Sequence, residues 1–171
     1  MLKNPNQYKW FAIYTKSRSE KKVLERLNDA GYESFLPLIT EIKQWSDRKK
    51  KVTSPLIKSY VFVKVKKNEL VAMYNIPGVV TVLKHLGVPA IVTDVEINNL
   101  KIVTNNSEAT KAIEPCTLAK GRPVEVIHGP FKGLIAVYML NSGKHSVIVK
   151  VDALNSFTEI TLPLSHIKNI A

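Results

Sequence analysis

The chain has 171 residues, 45% of them hydrophobic, with a formal net charge of +11 and one cysteine, which describes one compact domain or two small ones rather than a disordered chain. No apolar run is long enough to span a bilayer and no apolar leader opens the sequence; lone Cys116 excludes an internal disulfide and a thiolate zinc cluster, in keeping with a reducing cytoplasm. The charge is uneven, 18 Lys and Arg against 9 Asp and Glu in residues 1–104 but 7 against 5 in residues 105–171, so the first part is the one suited to a polyanion or an acidic protein surface.

Residues 10–15, Trp-Phe-Ala-Ile-Tyr-Thr, read as a first strand rich in aromatic and branched side chains. Ser17 to Glu20 has the Ser-x-x-Glu spacing of a capping box. The helix it opens puts Val23, Leu24 and Leu27 on one arc and Arg18, Lys21, Lys22 and Arg26 on the other, with Gly31 suited to the left-handed position that ends it. Residues 34–42 suggest a second strand and 60–65 a third. In the third, Tyr60 and Phe62 share one face and Val61, Val63 and Val65 the other. Between these two strands Arg48, Lys49, Lys50 and Lys51 form four consecutive cations, read as a solvated loop tip.

Asn68 can cap a short helix over 69–74, which Pro77-Gly78 stops. Residues 79–83 follow as a strand, 86–89 as a turn, 91–92 as a short extended piece, and Thr93 or Asp94 caps a third helix. The order is that of an α+β fold, helices on a mainly antiparallel sheet. Residues 105–118 are polar and weakly patterned and read as a linker, so the domains expected are 1–104 and 119–171. The second is purely β: a strand over 124–127, a glycine-bracketed turn over 128–133, then strands over 134–140, 146–151 and 158–162, which bury both faces by closing into a small barrel.

Signs of chemistry are missing. The four histidines lie in separate segments with no cysteine partners, so no metal is expected. No carboxylate pair, nucleophile elbow or phosphate-binding glycine loop is present, so neither an enzyme nor a cofactor is expected. A band of cations attracts phosphates without reading sequence. Aromatics on an open sheet face would instead anchor a protein partner.

Together these segments resemble the NusG family of transcription elongation factors over nearly the whole chain. Residues 9–14 resemble its opening strand, Phe35-Leu36-Pro37-Leu38 its second, and residues 55–63 its Pro-Gly-Tyr-Val-Leu-Val-like segment, with Lys58-Ser59 standing where the family has Pro-Gly. Residues 121–133 resemble the KOW motif through Gly129, Pro130, Phe131 and Gly133. The Gln-Trp-Ser-Asp-Arg-Lys-Lys-Lys run at 44–51 and Ile39-Thr40-Glu41 look closest to the specialised RfaH-like paralogues, particularly UpxY-type antiterminators of capsular polysaccharide operons.

The resemblance implies a non-enzymatic, monomeric, cytoplasmic factor with an N-terminal NGN domain and a C-terminal SH3-like KOW barrel. The NGN domain would dock on the clamp helices of the largest RNA polymerase subunit through Tyr14, Ile57, Tyr60 and Phe62, and would bridge the cleft toward the other large subunit. RfaH uses a His-Thr-Thr stretch for that second contact, where this chain has Val71-Ala72-Met73-Tyr74. Lys16, Arg18, Lys21, Lys22 and Arg26 would face the non-template DNA strand, and Arg48 to Lys51 nucleic acid more generally. The KOW domain would recruit a ribosomal protein or termination factor. The outcome would be suppressed pausing or termination at specific operons. RfaH's C-terminal domain can refold as a helical hairpin; the branched residues at 147–149 and 158–161 predict a barrel here. The competing reading is a KOW-type RNA-binding or ribosome-associated protein acting without polymerase.

Overall fold

β1 (Lys9–Thr15) is buried on both of its faces, the mark of a central strand. The computed structural model, which describes residues 7–45, 48–106, 121–141, 144–151, 154 and 156–170, places it in the middle of a five-stranded sheet. The order is β2 (Glu33–Phe35), β5 (Tyr60–Val65), β1, β6 (Val79–Val82), and β9 (Ile91–Val92) also pairs with β1. Every ladder in it is antiparallel. Most of the expected linker, Cys116 and the turn residues 142–143 and 155 lie outside the described residues.

By contacts the chain divides into two compact units, Met1–Pro37 with Ile57–Asp94, and Leu38–Leu56 with Val95–Ala171. In the first unit α1 (Glu20–Asp29) buries Val23 and Leu27, and Val61, Val63 and Val65 of β5 are fully buried. The helix ends in a Schellman arrangement: Tyr32 N–H donates to Leu27 O and Gly31 N–H to Asn28 O, with Gly31 at φ +81°. A 3-10 helix over Lys67–Asn75 follows β5, and its Glu69 carboxylate accepts from Lys66 N–H at 2.8 Å. Lys66 therefore occupies the cap position assigned to Asn68. A two-residue turn joins β7 (Lys84–His85) to β8 (Val88–Pro89).

Two readings of the sequence change here. The segment read as one strand over 34–42 is two, β2 in the first sheet and β3 (Leu38–Gln44), separated at Leu36-Pro37. Proline has no N–H to give a ladder, so the break falls there. β3 pairs with β4 (Lys49–Pro55) as an isolated two-stranded ribbon, and Lys49, Lys50 and Lys51 are therefore strand residues rather than a loop. They are exposed because they lie toward the turn end of the ribbon, whereas its other end, where Leu38 faces Pro55, buries Ile39.

The second unit also contains α2 (Asp94–Asn105) and an antiparallel sheet in the order β13 (Ser156–Thr161), β12 (Lys144–Val151), β11 (Ile135–Asn141), β10 (Arg122–Val126), β14 (Ile167–Asn169). Val124, Val126, Leu134, Val147, Val149 and Ile160 form its core. β14 went unread because Ile-Lys-Asn is too short and too polar to carry a period-two signal. The C-terminal described residues are thus extended, as their branched side chains predict. Among the described residues no helix is long and apolar enough to cross a membrane.

Candidate functional site

Tyr14 of β1 and Tyr60 of β5 are direct cross-strand partners. On an antiparallel sheet such partners project to the same face, and here the two rings meet edge to face with centroids 5.3 Å apart. That geometry suits the quadrupoles of the rings. Tyr14 is 40% exposed and Tyr60 half-buried, so the pair presents ring surface to solvent. Burial first, and the Tyr14 phenol second, push the Tyr60 hydroxyl above its ordinary pKa. On the other side of Tyr14, Thr81 of β6 is its register partner. Thr81 holds the hydroxyl of Tyr74, an exposed residue of the 3-10 helix, and that hydrogen bond is the main reason the Tyr74 pKa is lowered. Tyr14, Tyr60, Thr81 and Tyr74 thereby form one aromatic and hydroxyl-bearing surface.

Phe62 and Ile57, expected to share an exposed patch with the tyrosines, are buried. Phe62 is 0% exposed; it stacks on Phe35 with centroids 6.4 Å apart and lies opposite Ala12, whose small side chain leaves room for it. Phe62 does share the face of Tyr60, but it serves as the packed floor next to the pair rather than as surface.

What aims Tyr60 is the turn before it. Glu20, 7% exposed at the first position of α1, does not close a capping box with Ser17; the N-cap is Ser19, with no side-chain cap bond. Instead the Glu20 carboxylate accepts the Ser59 N–H at 2.8 Å, while Ser59 O accepts the Thr15 N–H at 2.8 Å. Both backbone groups of Ser59 are thus tied down with its φ at +63°, in the left-handed region that favours glycine. The departure Lys58-Ser59 from Pro-Gly keeps the turn that glycine would make, and a long-range carboxylate holds it.

Lys16, Arg18, Lys21, Lys22 and Arg26 are all exposed, and Lys58, next to the clipped Ser59, is exposed as well. Lys16 N–H donates to Gly78 O at 2.9 Å, and the Arg26 guanidinium donates to Pro77 O. The strand lysines are more engaged: Lys64 pairs with Glu33 at 3.5 Å and lies over the Trp10 ring, and Lys66 lies over Tyr8. Exposed cations thus run from the end of β1 along α1, while Lys64 of β5 is engaged by Glu33 and Trp10.

In the second unit the glycine-bracketed turn has the conformation its residues require. Gly129 and Gly133 have φ of +82° and +87°, Gly133 N–H donates to Val126 O at 2.8 Å, and Phe131 is buried. Pro130 O accepts from the Asn106 side chain at 2.7 Å. Buried Asn99 of α2 acts as a substitute strand: its Nδ2 donates to Ile135 O at 2.6 Å and its Oδ1 accepts from Ile135 N–H at 3.1 Å. Neither asparagine was singled out by sequence, because a polar residue on a helix gives no sign of a remote backbone partner.

Against known proteins, residues 8–101, more than half the chain, match the family model "NusG: Transcription termination factor nusG". The chain is similar to the transcription termination/antitermination protein NusG of Rickettsia bellii, 28% identical over 174 residues that cover 94% of this chain and 89% of that protein. It is similar too to the protein of the same name from Rickettsia prowazekii, 27% identical over 179 residues covering 95% and 91%. Among solved structures, that of Thermotoga maritima NusG, described by its domain interaction, shares the fold, with a TM-score of 0.51, 22% identity, and coverage of 98% of this chain and 100% of that one.

Proposed function

The chain belongs to the NusG family, and from that membership we propose that it is a non-enzymatic transcription termination/antitermination factor that binds RNA polymerase through the Tyr14–Tyr60 surface. The observation that carries this reading is the exposed edge-to-face tyrosine pair, inside the family-matched segment and aimed by the Glu20–Ser59 clip. Paired, partly exposed aromatics on a sheet suit a protein hot spot. We assign residues 1–104 to an NGN domain docked on the clamp helices of the largest subunit. Phe62, buried beside the pair on the same face, packs against Phe35 instead of touching the partner.

Lys16, Arg18, Lys21, Lys22, Arg26 and Lys58 would then face the non-template DNA strand as phosphate contacts that carry no sequence information themselves. The strands β10 to β14 and the Gly129–Gly133 turn support a KOW domain over residues 119–171 that recruits a ribosomal protein or termination factor. A factor bound across the cleft biases polymerase toward its closed, moving state only by as much as it binds that state better than paused or terminating ones. The Gln-Trp-Ser-Asp-Arg-Lys-Lys-Lys run of the sequence at 44–51 supports an operon-specific, UpxY-like role. A KOW protein acting without polymerase is not favoured, since the family match falls on residues 8–101 and not on the glycine turn. Co-purification tests the reading: polymerase retained by the wild-type chain and lost with Tyr60→Ala supports it, and equal retention by both overturns it.

A further inference from the structure

The chain has two tryptophans, and they are placed in opposite ways. Trp10 is 3% exposed, whereas Trp45, at the tip of the β3–β4 ribbon, is 48% exposed. The same ribbon buries Ile39 near its other end but leaves the Trp45 indole half open to solvent. Its backbone is nonetheless fixed: Trp45 N–H donates to Arg48 O at 2.8 Å and Trp45 O accepts from Gln44 Nε2 at 3.1 Å. Lower down, the Thr40 and Thr53 hydroxyls join across the ribbon at 3.0 Å. The Lys50 ammonium lies 5.0 Å from the centre of the Trp45 ring, a cation–π contact. Arg48, Lys49 and Lys51, its neighbours along the chain, are exposed as well. Residues 38–56 carry five Lys and Arg against two Asp and Glu.

We propose that this ribbon tip is a stacking platform for single-stranded nucleic acid, in which a base lies on the Trp45 indole while Arg48, Lys49, Lys50 and Lys51 contact the adjoining phosphates. The proposal rests on the reading of these four cations as nucleic-acid-facing, and adds to it the residue and the class of strand. Cations alone would bind any polyanion. A two-stranded ribbon could also enter the major groove of a duplex, but base faces inside a duplex are already stacked and closed to an indole. An aromatic face among cations is the combination that holds unpaired bases, because every base has a π-face and every nucleotide a phosphate. With the Lys50 ammonium on one side of the ring, the other side is the one that receives the base.

Tryptophan fluorescence of the full chain reads this directly, since buried Trp10 stays constant while Trp45 reports contact. Titration with ten-nucleotide oligo-dT, oligo-U and a duplex of equal length should quench the Trp45 emission with the single strands and not with the duplex. Whichever single strand binds tighter identifies DNA or RNA as the natural ligand. Trp45→Ala should weaken single-strand binding about tenfold and Trp45→Phe much less, in line with the value of one stacked base. Lys49→Ala should lower the salt dependence by about one phosphate contact. Unchanged Trp10 emission in the Trp45 variants shows that they are folded. Single-strand binding without quenching, and equally tight in Trp45→Ala, overturns the stacking platform while leaving the cations as a nucleic-acid surface. No binding by any of the three overturns both.

Discussion

Ser59→Gly should make the protein more stable. Ser59 has φ of +63° with both backbone groups hydrogen-bonded, so the turn cannot relax away from the left-handed region. Holding a residue with a Cβ there costs about 1–2 kcal/mol. Glycine removes that cost but gains unfolded-state freedom worth about 0.5–1 kcal/mol. The net expectation is a gain of roughly 0.5–1 kcal/mol by these two terms. Urea unfolding followed by Trp10 fluorescence in a Trp45→Phe background measures it, as a higher midpoint at unchanged slope. Ser59→Val should move the midpoint the other way, since a branched Cβ tolerates this region worst. Glu20→Gln should lower stability by about 1 kcal/mol, because a neutral amide replaces a charged acceptor for the Ser59 N–H. A Ser59→Gly protein that is no more stable than wild type would refute the claim that the turn is held under strain.

Asn99→Asp should destabilise the second unit by about 3 kcal/mol, because a buried carboxylate then faces the Ile135 carbonyl with no proton to donate; faster amide exchange at Ile135 and a lower unfolding midpoint would show it. Absorbance titration of the phenols should find Tyr74 ionising below the ordinary 10.0 and returning toward it in Thr81→Ala, since that hydrogen bond is the main cause of the shift. Tyr60 should ionise above 10.0. Its contribution to stability is therefore intact below pH 10 and is lost as pH rises through its raised value, and Tyr14→Phe should reduce the elevation only in part, because burial is the larger cause.

The first sheet was legible because its signals are local. Period-two alternation placed Tyr60 and Phe62 on one face and the valines on the other, and the glycine at 31 marked the end of α1. Alternation does not say which residues of a face stay open, and so Phe62 was read as surface when Phe35 covers it. The Ser17–Glu20 spacing misled for a similar reason: a buried carboxylate serves whichever N–H the fold brings to it, and that was Ser59, 39 residues away. A cationic run argues for solvent but not for a loop, and an isolated ribbon satisfies it equally well. The Asn99–Ile135 pairing is a contact between distant segments with no local periodicity to announce it.

The proposed function stands on the Tyr14–Tyr60 surface acting through polymerase. Transcription in vitro through a terminator, with and without the protein, tests it directly. The wild-type chain should change read-through or pausing, and the doubly substituted Tyr14→Ala, Tyr60→Ala protein, shown by its Trp10 emission to be folded, should have no effect. An unchanged transcript profile with the wild-type chain, or full activity in the double variant, would contradict it.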